Sequence, residues 1–197
     1  MYESEAAILP AFQAIVARSL RIDAARVTPE ARLDELGAES IDMVEITMDC
    51  EAAFHVWLPE KTILETAEEL LGAGTIVKNG YLTETGKQLL AERFRSEECV
   101  LPEGEVPLEA VRGRFMKVGS WVRMLANLVE HTPVNCPVCH GLLRPAAGFR
   151  LQCRGCGKEV HLQSGDELNR EWLHQYFVKP ASQSTSPPVT APLRESA

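Results

Sequence analysis

Four cysteines stand in two closely spaced pairs in the last third of the sequence. Two residues separate Cys136 from Cys139, two separate Cys153 from Cys156, and thirteen lie between the pairs. Two such turns can bring four thiolates into a tetrahedron, the geometry that zinc prefers at about 2.3 Å from each sulfur. Because four protein ligands leave no open position on the metal, the spacing predicts a structural zinc site rather than a catalytic one.

Two other chemistries use similar cysteine spacing. The segment CPVCH, ending at His140, matches the Cys-x-x-Cys-His signature of haem attachment, but the second pair has no histidine. A dithiol redox pair is disfavoured because the surrounding βαβ pattern is missing. The segment CPVCHGLLRPAAGFRLQCRGCGKEVHL instead resembles a zinc ribbon, in which the metal supplies folding free energy that so short a segment cannot gain from an apolar core. Neither His140 nor His161 is expected to be a ligand.

Ser40 is the other residue with a possible chemical use, and it lies in the stretch LGAESIDMVEI, Leu36 to Ile46. A serine at the start of a helical pattern can act as the N-cap, whose side-chain oxygen accepts a hydrogen bond from a free backbone N–H. A hydrolase nucleophile is disfavoured because the Gly-x-Ser-x-Gly pattern and a neighbouring base are absent. The third interpretation is that Ser40 is a site of covalent modification.

The segment LDELGAESIDMVEITMDCEAAFHVWLPE resembles the acyl carrier protein family. In that family a Gly-x-Asp-Ser-Leu motif opens the second helix, and its serine carries a 4′-phosphopantetheine arm. Gly37, Ser40 and Ile41 match the motif here, with Glu39 in place of aspartate and Ile41 in place of leucine. The resemblance covers roughly the first 60 residues. It implies a non-catalytic carrier that holds acyl intermediates as thioesters for fatty-acid, polyketide or specialised lipid biosynthesis.

Acidic residues surround the serine. From Leu33 to Glu60 the sequence has eight Asp or Glu and no Lys or Arg. Such a surface attracts basic partners, so we expect docking of a phosphopantetheinyl transferase and of acyl-transferring or condensing enzymes with basic surfaces. The net charge of −8 disfavours nucleic acid as a partner. The residues predicted to dock these partners are Glu39, Asp42, Glu45 and Asp49.

The spacing of apolar residues predicts a mainly α protein. The family resemblance implies that these helices form an acyl-carrier-like helical bundle with an insertion between helices two and four, and the cysteine segment implies that a small β zinc ribbon follows. The polar connection after residue 20 is predicted to be an ordered loop anchored by Val27 and Leu33. The predicted helices cover about 6–20, 40–54, 61–71, a segment opening at Thr83 or Thr85, and 115–131. The predicted units are a carrier domain over 1–132 with the insertion at about 61–114, the ribbon plus a short helix over 133–178, and a disordered tail over 179–197.

Several finer expectations follow. Ile41, Val44, Met48 and Ala52 form one helical stripe after Ser40, and Asn79-Gly80 predicts a tight turn. The segment LNREWLHQYFV is expected to pack on the ribbon or to be offered to a partner. No apolar run is long enough to span a membrane, and the acidic start lacks an export signal, so a cytoplasmic protein is expected. An alternative function is a non-carrier adaptor whose ribbon binds a protein or nucleic acid.

Overall fold

The computed structural model describes residues 5–94, 101, 104–146 and 149–178. The predicted tail at 179–197 and Cys99 lie outside them. The described part of the chain is mainly helical with two small antiparallel sheets, as the sequence predicts. None of its helices is both long and apolar enough to cross a membrane. The elements are α1 (Glu5–Leu20), α2 (Ser40–Phe54), α3 (Ile63–Leu71), β1 (Val77–Lys78), β2 (Tyr81–Leu82), α4 (Glu84–Arg93), α5 (Leu108–Phe115), α6 (Val118–Glu130), β3 (Leu143–Ala146), β4 (Arg150–Cys153), β5 (Glu159–His161) and α7 (Gly165–Val178).

Helices α1, α2 and α6 enclose the first apolar core, and we call this unit the carrier bundle. Its fully buried members include Phe12 of α1, Ile46 of α2 and Leu125 of α6. Val27 and Leu33 are also fully buried there, which confirms them as anchors of the long connection. Helix α6 therefore closes the bundle as predicted, although it follows α2 by more than sixty residues in the sequence.

Backbone hydrogen bonds fix the approach to α2 against the start of α6. The Leu33 N–H donates to the Met116 carbonyl at 2.9 Å, and the Val118 N–H donates to the Ala31 carbonyl at 2.9 Å. A short 3₁₀ helix at Ala24–Arg26 begins at the Asp23 cap. The connection is thus ordered, and it sets where α2 starts.

A second apolar core lies in the predicted insertion and is called the insertion core. Ile63, Ala67, Leu89, Val111 and their neighbours bury one face each of α3, α4 and α5. The helix α5 was not predicted, because its eight residues follow a segment rich in Pro and Glu and show little helical periodicity.

The β1–β2 hairpin confirms the predicted tight turn. Asn79 and Gly80 both have positive φ, 52° and 82°, as a two-residue hairpin turn requires. Thr83 then caps α4 by accepting a hydrogen bond from the Gly86 N–H. The prediction of a helix starting near Thr83 is therefore confirmed.

Helix α7 packs on the insertion core, against α3, and this corrects the expectation that it packs on the ribbon. Its Leu173 is fully buried in that core. Asp166 accepts hydrogen bonds from the backbone N–H groups of Glu60 and Lys61 at 3.0 and 3.2 Å. These bonds hold the start of α7 beside the start of α3, so its apolar face meets α3.

The ribbon is a three-stranded antiparallel sheet in the order β3-β4-β5. The segments FRLQC and KEVHL are short β-like runs in the sequence and contain β4 and β5, whereas no such run indicates β3. The ribbon meets the carrier bundle through a stacked ring pair, Phe149 on Trp57, with centroids 4.8 Å apart. The segment after the ribbon is held by the Gly165 N–H, which donates to the Trp57 carbonyl at 2.7 Å.

Candidate functional site: an exposed serine and a cysteine cluster

Ser40 is the first residue of α2, and the N-cap is Glu39. The prediction that Ser40 is the cap was therefore wrong by one position. Glu39 has extended backbone angles, φ −97° and ψ 174°, while Ser40 is already helical. The carboxylate of Asp42 accepts a hydrogen bond from the Glu39 N–H at 2.8 Å, half of a capping box. Asp42, rather than Ser40, therefore satisfies a backbone donor at this helix start.

The Ser40 side chain is exposed to solvent. Within the described residues its hydroxyl has no hydrogen-bond partner, and so no base is positioned to activate it. A turn delivers the serine to the surface: Gly37 has φ 100°, and the Ala38 N–H donates to the Leu33 carbonyl at 2.9 Å. This arrangement leaves the hydroxyl accessible from solvent.

The apolar stripe that predicted α2 lies on its exposed side. Ile41, Val44 and Met48 expose 72, 54 and 64% of their surface. The buried face is instead formed by Ile46, Cys50 and Phe54, each four residues apart. This second spacing is also visible in the sequence, but only the packing of α1 and α6 against it shows that it is the core side. An exposed apolar stripe beside Ser40 marks an interaction surface.

The acidic surface is partly neutralised by arginines from outside its sequence run. Arg18 of α1 forms an ion pair with Asp49 at 2.7 Å, and the Ser19 hydroxyl donates to Glu45 at 3.2 Å. Arg32 beside Asp34 lowers the pKa of that carboxyl below its usual range. Among the predicted docking residues, Asp49 is thus already paired, while Glu39, Asp42 and Glu45 lie within the first turns beside Ser40.

The end of α2 is held by a partly buried carboxylate. Glu51 accepts a hydrogen bond from the Leu58 N–H at 3.0 Å, and burial raises the pKa of Glu51. Burial also raises the pKa of the Cys50 thiol to about 12. Cys50 therefore stays protonated and acts as a small apolar core residue.

The four predicted ligands come together at one end of the ribbon. The Sγ atoms of Cys136, Cys139, Cys153 and Cys156 all lie within 4.8 Å of one another. The Cys136–Cys156 and Cys139–Cys153 sulfur separations are 3.7 and 3.3 Å. These exceed a disulfide length of about 2.05 Å. They approach the ~3.8 Å edge of a tetrahedron whose centre is 2.3 Å from each sulfur, so the cluster fits zinc.

The backbone around the cluster favours a thiolate at Cys153 and leaves little spare room. The Cys156 N–H donates to the Cys153 sulfur, as does the Gly155 N–H, and the pKa of Cys153 falls to about 6. A Cβ at Gly141 would lie 3.2 Å from the Cys153 sulfur. In the same region His161 contacts Glu167 at 3.1 Å, and no histidine joins the sulfur cluster within the described residues.

Comparisons with known proteins agree with this geometry. The family described as "Phosphopantetheine attachment site" matches residues 10–73, which include Ser40. The site and the helices around it thus define a phosphopantetheine-binding carrier domain followed by a four-cysteine ribbon.

Similarity to individual proteins identifies the family within this class. The acyl carrier protein of Helicobacter pylori strain J99 is 41% identical over 73 residues, which are 36% of this chain and 88% of that protein. The acyl carrier protein of Helicobacter acinonychis strain Sheeba is 38% identical over 73 residues, which are again 36% of this chain and 88% of that protein. No solved structure matches. The chain belongs to the acyl carrier protein family.

Proposed function

We propose that this protein carries acyl intermediates as thioesters on a 4′-phosphopantetheine arm attached to Ser40. The observation that carries the proposal is the placement of an exposed serine on the first turn of α2, inside the family match at residues 10–73. The arm supplies the thiol that forms the thioester. The chain's own residues present the serine, and no described side chain near it supplies a base, so the chain acts as a carrier and not as the catalyst.

The surface beside Ser40 supports docking of enzymes that load or use the arm. Ile41, Val44 and Met48 form an exposed apolar stripe, and Glu39, Asp42 and Glu45 provide carboxylates around it. A partner with an apolar contact bordered by Lys or Arg would match this surface in shape and charge. We propose a phosphopantetheinyl transferase and acyl-transferring or condensing enzymes of fatty-acid, polyketide or specialised lipid biosynthesis as partners.

The four cysteines fit a structural zinc ion, and we propose that they hold one. Cys136 and Cys153 are buried while Cys139 and Cys156 are exposed, which leaves the cluster at the surface of the ribbon. The metal would fix the two cysteine turns against each other. We propose that the carrier domain spans 1–132 with its insertion at about 61–114, and that the ribbon with α7 spans 133–178.

Loading of the serine can be tested with purified protein. The full chain and its Ser40→Ala variant are incubated with coenzyme A and a broad-specificity phosphopantetheinyl transferase, and the denatured intact masses are measured. We expect one phosphopantetheinyl group on the native chain and none on the variant. Failure of the native chain to gain mass with this transferase, and also with one from its own source, would contradict the proposal and favour the adaptor alternative.

A further inference from the structure

A cavity of about 490 Å³ lies between the carrier bundle and the insertion core. Trp121, Met124 and Leu128 of α6 line it, together with Phe94 and Phe115. Its volume falls within the range of about 300–1,000 Å³ that is usual for small-molecule sites. The cavity spans both parts of the chain: Thr47 and residues 58–63 of its lining lie within the family match at 10–73, whereas the aromatic and aliphatic side chains named here lie beyond it.

Arg93, the last residue of α4, also lines this cavity. Its guanidinium carbon lies 5.2 Å from the ring centroid of Trp172 on α7. Burial lowers the pKa of Arg93, and within the described residues no carboxylate lies at ion-pair distance from it. Because the ring contacts one face of the guanidinium, the N–H donors in its plane stay available for an acceptor.

The other charged residues at the cavity do not neutralise Arg93. Lys61 forms an ion pair with Glu69. The lining carboxylates Glu5, Glu60 and Glu130 belong to exposed residues, whereas Arg93 is partly buried. A partly buried cation without an anionic partner is costly unless an anion reaches it. Arg123 is a second partly buried arginine in the cavity wall. A mainly apolar cavity with cations in its wall matches a ligand that has an apolar body and an anionic end.

We propose that this cavity binds a straight aliphatic chain ending in a carboxylate, with the carboxylate on the Arg93 guanidinium and the chain among Phe94, Phe115, Met124 and Leu128. A carboxylate fits the planar guanidinium through two parallel hydrogen bonds, and the aromatic and aliphatic walls exclude water from the chain. The buried amide residue Asn169 adds a further polar group to the cavity wall.

Two molecules could supply an aliphatic chain that ends in a carboxylate. One is a free fatty acid, and the other is the far end of a carboxyl-terminated acyl group held on the arm at Ser40. Thr47 lines the cavity, and it lies seven residues after Ser40. Seven residues correspond to about two helical turns, or ~10 Å along α2, on nearly the same side of the helix. The tethered source rests on the proposed function, whereas the free source does not.

The free source is tested by calorimetric titration of the full chain, without the arm, with decanoate and with decanol, which lacks the carboxylate. We expect saturable decanoate binding that is roughly tenfold or more tighter than decanol binding. Arg93→Met should remove that preference and leave decanol binding unchanged. The control is Arg112→Met on α5, an exposed arginine that does not line the cavity, which should bind as the native chain does.

The tethered source is tested on chain loaded at Ser40 with an octanoyl group or its ω-carboxy counterpart. The NMR resonance of the Arg93 side-chain Nε–H should shift with the ω-carboxy group and not with octanoyl. A positive result in either arm supports the site and identifies its source. The proposal is overturned if neither arm distinguishes the carboxylate, or if Arg93→Met keeps the preference. Failure to load Ser40 would contradict the carrier proposal alone, since the decanoate titration does not use it.

Discussion

The carrier bundle and the ribbon are stabilised by different interactions. Fifteen buried apolar side chains form the bundle core. In the ribbon, over the described residues 133–146 and 149–162, the buried side chains are only Leu151, Leu162, Cys136 and Cys153. Apolar burial can account for the bundle, whereas we expect the ribbon to depend on a metal that cross-links its sulfur cluster. The two units should therefore respond independently to metal and to core mutations.

The two regions also differ in how they present reactive groups. Ser40 stands exposed on a helix whose opposite face is packed in the core. The four cysteine sulfurs instead converge on one point and can satisfy one another through a metal. We therefore propose that covalent chemistry on the bundle depends on outside enzymes, while the cysteines serve the fold of the ribbon.

Metal removal should give the largest effect. Chelation should abolish the ordered structure of the ribbon, because structural zinc contributes about 10–16 kcal/mol in comparable small units. Hydrogen exchange should lose protection over β3–β5 and keep it over α1 and α2. Cys153→Ala should reproduce the result and lower the zinc content, while Cys50→Ala should leave the zinc content unchanged. Retained hydrogen-exchange protection of the ribbon without metal would contradict the claim that the ribbon depends on metal and the bundle does not.

Two isoleucines of α2 test which face of the bundle is its core. Ile46 is fully buried and Ile41 is 72% exposed. Ile46→Ala should lower the free energy of unfolding by about 2–5 kcal/mol, because it leaves a cavity in the core. Ile41→Ala should change it by less than about 0.5 kcal/mol and should weaken the interaction with enzymes that use the arm. Denaturant unfolding measures the first effect, and equal losses for the two variants would contradict the assigned faces.

Two variants at the start of α2 should differ in stability by a smaller amount. Asp42→Ala removes the acceptor for the Glu39 N–H and should cost about 1 kcal/mol. Ser40→Ala should be nearly silent, since Ser40 is not the cap. Thermal unfolding of both variants, with zinc present, measures this difference. A loss for Ser40→Ala equal to that for Asp42→Ala would restore the serine as a capping residue.

Two carboxyls should titrate on opposite sides of the ordinary glutamate pKa of about 4.3. Backbone donation from Ser164, together with His161, lowers the pKa of Glu167, so its stabilisation is complete above the unfolded pKa and is lost as pH falls through the folded value. Burial raises the pKa of Glu51, so between its unfolded and folded values falling pH favours the folded state. Carboxyl NMR titration at both residues measures the directions, and the reverse order would contradict these environments.

Local signals in the sequence predicted much of this structure. Helical spacing located α1 and α2, the Asn79-Gly80 pair located the hairpin, and the cysteine spacing predicted the cluster. These features depend on short-range geometry that a few neighbouring residues determine.

Features that depend on long-range packing were missed. The exposed stripe at Ile41 was indistinguishable from a core stripe until α1 and α6 were placed against the other face. Helix α7 was expected to pack on the ribbon because the ribbon directly precedes it in the sequence. It packs instead against α3, which is distant in the chain. Arg93 gave no sequence signal, because its ring contact and its cavity are formed by helices distant in the chain.

The most direct test of the central claim is to purify the protein from its native source and determine what Ser40 carries. The intact protein is denatured and weighed, and its peptides are then fragmented to locate any added group. We predict a phosphopantetheinyl group, in part acylated, on the peptide that contains Ser40. Protein that is wholly unmodified at Ser40, while a known carrier from the same cells is modified, would contradict the account.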